Sequence, residues 1–196
     1  MTLTEIKQAL QELNLRPSRR LGQNYLYDQN LARIIVEAAR IGPANQVVEI
    51  GPGLGALTEL LLQKTPRLEV VEKDARASAF LQTRFPGLSV RCADALEFGF
   101  RSEGPWICIG NLPYSVASRL IVRLCELEER PERMVFTVQR EVADRLVSQP
   151  DVKDYGVLTL LTRPWYDIRV DRHLPPSVFF PEPDVESSVV LLEARS

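Results

Sequence analysis

The chain has 196 residues, 45% of them apolar and 26% charged, with 24 Lys+Arg against 26 Asp+Glu and a formal net charge of −2. This is ordinary globular composition, long enough to bury a core unaided, and the near balance of charge excludes a uniformly basic nucleic-acid coat while leaving room for a local positive patch. Glu5, Lys7, Glu12, Arg16, Arg19 and Arg20 interrupt the opening leucines, and no later apolar stretch reaches the ~18 to 20 residues of a membrane span, so neither a secretion signal nor a membrane anchor is expected.

From the N-terminus, Thr2-Leu3-Thr4-Glu5 has the spacing of a capping box, and Ile6, Leu10 and Leu13 fall on one face of a helix expected over 4–13. Segment 16–26 reads as irregular. Asp28 then caps a helix that turns Leu31, Ile34, Ile35 and Ala38 inward, ended by Gly42-Pro43. Five strands follow at 46–50, 68–71, 88–92, 106–109 and 134–138, most of them continuous apolar runs of the kind that sheets covered on both faces use. Between and after them, 57–64, 75–84, 115–127 and 140–148 have helical periodicity, with Asp74 and Ser115 placed as caps for two of them. Beyond Gly156 three further strands are expected at 157–161, 166–170 and 188–192, around a proline-rich loop at 174–183. The order describes an α/β fold: a mostly parallel sheet that ends in an antiparallel hairpin. The expected division is an N-terminal helical segment at 1–45 and a Rossmann-like core at 46–196.

Glu49-Ile50-Gly51-Pro52-Gly53-Leu54-Gly55-Ala56 follows the first strand of this series and opens a helix, at the sheet edge where open α/β folds bind ligands. Gly51, Gly53 and Ala56 also satisfy the dinucleotide template, and Glu72, 21 residues beyond Gly51, suits a ribose diol in either kind of site. Glycine spacing alone therefore leaves a nicotinamide cofactor and a methyl donor both open. What separates them is Asn111-Leu112-Pro113-Tyr114, after the fourth strand and on the same edge. The Asn111 side-chain oxygen and the Leu112 carbonyl can accept from the exocyclic amine of a nucleobase while Tyr114 stacks on its ring. Such an amine is a poor nucleophile because its lone pair is delocalised into the ring. Two acceptors that draw it toward tetrahedral geometry free the pair for in-line attack on a methyl group, with orientation and fixed dipoles carrying catalysis.

At this point the chain resembles the S-adenosylmethionine-dependent methyltransferases, and among them the KsgA-type ribosomal RNA adenine dimethyltransferases, relatives of the Erm enzymes and the mitochondrial transcription-factor-B proteins. The matching segments are Leu-Gly-Gln-Asn-Tyr-Leu at 21–26, Val-Glu-Ile-Gly-Pro-Gly-Leu-Gly at 48–55, Glu-Lys-Asp at 72–74, Asp-Ala-Leu at 94–96, Asn-Leu-Pro-Tyr at 111–114, Gln-Arg-Glu-Val-Ala at 139–143 and Phe-Phe-Pro-Glu-Pro at 179–183. The resemblance implies a seven-stranded class I methyltransferase fold and, as activity, dimethylation of the adenine amine in small-subunit ribosomal RNA. It implies that Asn24 and Leu26 close over the donor, that Gly51 supports it, that Glu72 holds the ribose and that Asp94 and Ala95 meet the adenine. Asn111 would touch both donor and target, and Tyr114 and Phe179 would sandwich a flipped base. An Erm-like large-subunit activity and a ribosome-assembly or transcription module with secondary catalysis are the other readings.

The chain departs from the family pattern at Tyr25, where Phe is usual, at Ser115, where Asn is common, and at Asp184, where Lys often stands. The resemblance also implies a helical C-terminal RNA-gripping domain, which would lie beyond Ser196. Arg16, Arg19 and Arg20 form the densest basic cluster and are the candidate phosphate contacts, with a weaker extension at Arg140, Arg145 and Lys153. The partner expected is ribosomal RNA in a small-subunit particle, engaged by a monomer, with no membrane. Cys92, Cys108 and Cys125 stand 16 and 17 residues apart without a C-x-x-C pair, and His173 is the only histidine. No disulfide framework and no metal are expected, and a reducing, cytoplasmic compartment fits.

Overall fold

In the computed structural model, which describes residues 1–17, 23–152 and 154–195, the apolar runs at the centre of the sequence lie side by side. The strands are β2 (Gln46–Ile50), β3 (Leu68–Glu72), β4 (Ser89–Cys92), β5 (Trp106–Asn111), β6 (Arg133–Gln139), β7 (Tyr166–Leu174) and β9 (Ser187–Ala194), numbered to leave β1 (Tyr25–Leu26) and β8 (Phe179–Phe180) for a separate small ladder. Their spatial order is β4-β3-β2-β5-β6-β9-β7. The first five are parallel, and β9 runs antiparallel between β6 and β7. Within this sheet the chain enters at β2, moves outward through β3 and β4, and returns to β5 on the other side of β2. That reversal creates a switch point, where the carboxyl ends of β2 and β5 diverge.

Each central strand is apolar on both faces because helices cover both. Val48, Cys108, Met134, Phe136, Val190 and Leu192 face one cluster, shared with α5 (Ala117–Glu126), α6 (Arg140–Val147) and α7 (Val157–Thr162). Their neighbours Val47, Ile107, Ile109, Val135, Val189 and Leu191 face the other, shared with α2 (Gln29–Ala38), α3 (Thr58–Leu61) and α4 (Ala75–Arg84). The period-two alternation of a strand thus feeds two cores from one run of residues. A third cluster seats α1 (Leu3–Glu12), through Ile6, Ala9 and Leu10, on Tyr25 and Leu54.

Side-chain caps start three of the seven α-helices among the described residues, α1, α2 and α4. The Thr2 hydroxyl accepts from Glu5 N–H at 3.3 Å while Glu5 Oε2 accepts from Thr2 N–H at 2.6 Å, completing the expected capping box. Asp28 Oδ1 accepts from Asn30 and Leu31 N–H, and Asp74 Oδ1 from Arg76 and Ala77 N–H. Two expectations fail. Ser115 caps nothing: α5 begins after Val116, with no side-chain cap bond. The run at 157–161 is helix α7 rather than a strand, because Leu158, Thr159 and Thr162 turn inward together and the Thr159 hydroxyl donates to Arg145 O at 2.5 Å. A short apolar run has the same pattern in a buried strand and a packed helix.

β5 runs two residues further than its apolar run, through Gly110 and Asn111. A Cβ on Gly110 would lie 2.3 Å from the Ile50 carbonyl oxygen, so only glycine lets β5 pass the end of β2 this closely. We predict that Gly110→Ala destabilises the fold by about 1–3 kcal/mol or more in denaturant titration, as overpacking does. Gly99→Ala, where the added atom meets nothing within 4 Å, should leave the midpoint nearly unchanged.

Candidate active site

At the carboxyl end of β2 the chain enters the glycine loop with Gly51 at φ +66° and Gly53 at φ +57°, conformations that a side chain resists. Glu72, the last residue of β3, holds this loop: its Oε2 accepts from Gly53 N–H at 3.0 Å and its Oε1 from Asp74 N–H at 2.8 Å. Glu72 is 8% exposed. Burial raises its pKa, against the backbone N–H groups of Asp74, Gly53 and Lys73, which lower it. Each oxygen keeps a further lone pair for a ligand hydroxyl. Behind it, Glu49 is almost fully buried, accepts from the Thr58 hydroxyl at 2.6 Å, and has its pKa pushed up to about 8, first by burial and further by the neighbouring Glu72.

A lid crosses the loop. Tyr25 and Leu26 pair antiparallel with Phe180 and Phe179, and Tyr27 adds a bond from its N–H to Val178 O at 3.1 Å and one from its hydroxyl to Ser177 O. The Tyr25 ring packs on Gly53, where a Cβ would come within 3.0 Å of it. At the end of β5, the Asn111 side-chain Nδ2 donates to Asn24 O at 2.7 Å. The amide is thereby oriented, and its Oδ1 is left as the acceptor.

Beyond β4, Asp94 opens a tight turn. Its Oδ1 accepts from Leu96 N–H at 2.9 Å, and its Oδ2 from Lys73 Nζ at 2.6 Å. The Lys73 contact, with the backbone donor, holds its pKa below the usual carboxylate range. Asn24, Leu26, Gly51, Glu72, Asp94, Ala95 and Asn111, the seven residues expected around the donor, all line one cavity of about 500 Å³. Sequence reasoning missed several of its walls: Glu49, Lys73, Arg76, Val116 and Leu120. Of these, Glu49 and Lys73 lie within matching segments, and Glu49 also carried a physical signal, an acid inside an apolar strand.

The target-side residues are less uniform. Leu112 is buried and its N–H donates to Thr137 O at 3.1 Å, which fixes the peptide that follows Asn111. Tyr114 is half-buried, its hydroxyl 2.7 Å from Ser187 Oγ at the start of β9. Phe179 departs from expectation. It is 1% exposed and belongs to the core beside Leu26, because its place in the small ladder turns the ring inward, so in this structure it has no free face to stack on a base. Arg16 is exposed, whereas Arg19, Arg20 and Lys153 lie outside the described residues. Arg140 is committed to Glu186 and Asp144. His173 Nδ1 lies 2.8 Å from Ser188 Oγ, remote from the cavity lining. Among the described residues no helix is long and apolar enough to cross a membrane.

A nucleotide-sized cleft at the switch point of a mostly parallel seven-stranded sheet with an antiparallel C-terminal hairpin is the architecture of class I methyltransferases. Residues 14–196 match the family described as Ribosomal RNA adenine dimethylase, and the chain belongs to that family. It is 39% identical over 186 residues to the Ribosomal RNA small subunit methyltransferase A of Syntrophotalea carbinolica, covering 93% of this chain and 70% of that protein. Among solved structures it is similar to a dimethyladenosine transferase from Plasmodium falciparum, with a TM-score of 0.80 and 27% identity over 87% of this chain and 63% of that one. It is also similar to the 23S rRNA methyltransferase ErmE, with a TM-score of 0.77 and 27% identity over 88% of this chain and 70% of that one. The nicotinamide reading of the glycine spacing is overturned by this membership.

The buried Glu49 makes a prediction about pH. A carboxyl whose folded pKa is raised from 4.5 to about 8 favours folding while protonated, and that contribution is lost as pH rises through this range. Glu49→Gln keeps an acceptor for Thr58 and cannot ionise. Its melting temperature should therefore gain on that of the unsubstituted protein between pH 5 and pH 8 by thermal scanning, whereas a difference independent of pH would contradict the assignment.

Proposed function

We propose that this protein uses S-adenosylmethionine to methylate, twice in succession, the N6 amine of adenosines in small-subunit ribosomal RNA. The observation that carries the reading is the Asn111 carboxamide, pinned to Asn24 at the cavity wall with an oxygen left to accept. Family membership and the relatives' names supply its context.

The residues present fit the donor. A cavity of about 500 Å³ lies within the range that encloses ligands of this size, with a buried acid at one station and a second acid at another. When bound, the donor supplies an electrophilic methyl carbon on a sulfonium sulfur. Glu72 accepts from the ribose hydroxyls, Asp94 and the Ala95 backbone meet the adenine edge, Gly51 lets the backbone come close, and Leu26 and Asn24 exclude water from above. On the target side, Asn111 Oδ1 and the Leu112 carbonyl accept from the two amino hydrogens and direct the nitrogen lone pair, while Tyr114 stacks on the flipped ring. Phe179 supports Leu26 from the core. The methylated nitrogen is cationic and loses its proton to water without a strong base, which leaves one N–H to be held in the second transfer. Arg16, with Arg19 and Arg20, holds RNA phosphates.

The test is transfer of labelled methyl groups to unmodified small-subunit particles, followed by nucleoside analysis. Dimethyladenosine is expected, and labelling of large-subunit RNA alone would favour the Erm-like alternative. Asn111→Ala should lower turnover by at least ~10²-fold, as loss of a positioned transition-state partner does, while donor affinity falls less. Near-normal transfer would refute its role. For Glu72→Ala the emphasis reverses: donor affinity should fall by about 1–3 kcal/mol in calorimetry, the cost of removing a charged hydrogen-bond acceptor.

A further inference from the structure

Residues 93–100, which carry Asp94 and Ala95, form no helix or strand. Locally the turn is closed by Glu97 and Phe98 N–H, both 2.9 Å from Asp94 O. It is joined to α5 by Arg123, whose Nη1 donates to Ala95 O at 2.9 Å and whose Nη2 donates to Phe98 O at 2.7 Å. The guanidinium also lies 5.3 Å from the Phe100 ring centre, and Phe100 is stacked on Trp106 at 5.8 Å.

Arg123 is half-buried and, among the described residues, forms no ion pair. Withdrawing a guanidinium from water without a carboxylate is a poor way to gain stability, but its rigid fork is well suited to fixing two carbonyls at once. The Ala95 carbonyl and the Leu96 N–H belong to the same peptide plane. Arg123 holds one edge of that plane, and the other edge donates to Asp94 Oδ1 at 2.9 Å. The guanidinium, the peptide and the carboxylate therefore form one hydrogen-bonded chain in which each member orients the next. Leu120, one turn before Arg123 on α5, lines the cavity, so the chain is anchored on an element that bounds the site.

We infer that Arg123 is a positioning residue for recognition of the donor's adenine amine, acting through the Ala95–Leu96 peptide on the Asp94 carboxylate. The inference rests on the function proposed above and adds a specificity determinant to it. Replacing Arg123 leaves Asp94 in place but frees the peptide that aims it. The penalty then falls on ligands bearing the amine and spares those without it.

The experiment compares S-adenosylhomocysteine with S-inosylhomocysteine, in which oxygen replaces that amine, by calorimetry on the full chain. The unsubstituted protein should prefer the adenosyl ligand. Arg123→Met should bind it about tenfold more weakly, with the inosyl ligand unchanged, and should raise the donor KM at unaltered kcat. Arg123→Lys, with a single point donor, should fall between. Equal weakening of both ligands by Arg123→Met would mark a merely structural role and overturn the inference, as would an unchanged preference. If the methionine variant does not fold, the lysine variant decides by the same ratio. Failure of the unsubstituted protein to bind S-adenosylhomocysteine would overturn the proposed function and this inference with it, a result distinct from intact binding with an Arg123-independent preference.

Discussion

The bond from Asn111 Nδ2 to the Asn24 carbonyl joins residues 87 positions apart and decides which atom of the amide faces chemistry. An amide free to rotate would offer a donor as readily as an acceptor, and an amine needs acceptors. The bond also closes the lid on the site, since Asn24 leads directly into the ladder of Tyr25 and Leu26 with Phe180 and Phe179. Orientation of the Asn111 amide and enclosure of the cavity, on which the proposed chemistry relies, thus depend on one contact between the N-terminal segment and the end of β5. It can form only because Gly110 lets that strand run beside Ile50 to its last residue.

The sheet supplies the rest of the geometry. In parallel register, Ile50 stands opposite Val71 and Glu72 opposite Cys92, so the segments leaving β2, β3 and β4 emerge on one edge beside the end of β5. Glu72 stitches two of those segments together through the Gly53 and Asp74 N–H groups, and the Arg123 fork ties a third to α5. The site is therefore held by hydrogen bonds to backbone as much as by side-chain packing. This explains how loops without regular structure can present a defined surface.

How much of this was legible in the sequence follows from the range of each signal. Strands buried on both faces announce themselves as apolar runs, and the caps Thr2, Asp28 and Asp74 act within three residues, so the sheet, its hairpin and the starts of α1, α2 and α4 could be read directly. Gly51, Glu72 and Asn111 were reachable because they stand at strand ends, which the fold brings to one edge, whereas Asn24, Leu26, Asp94 and Ala95 were reachable only through the family resemblance. Two-residue strands were not. Tyr25–Leu26 and Phe179–Phe180 are too short to show alternation, and they exist only through their pairing across about 150 residues of chain. The inward turn of Phe179 follows from that pairing, so the motif alone could not have shown it. Arg123 likewise looks like one more charge on an amphipathic helix until the carbonyls it reaches are known.

The central claim is that the Asn111 carboxamide oxygen and the Leu112 carbonyl form a corner facing the donor's sulfur. A crystal structure of the protein with S-adenosylhomocysteine bound tests it most directly. The sulfur should lie in the cavity on the Asn111 side, with the ribose on Glu72, the adenine beside Asp94, and open space between the sulfur and the two acceptors wide enough for a base amine. A ligand seated with its sulfur away from Asn111, or with side chains filling that space, would contradict it.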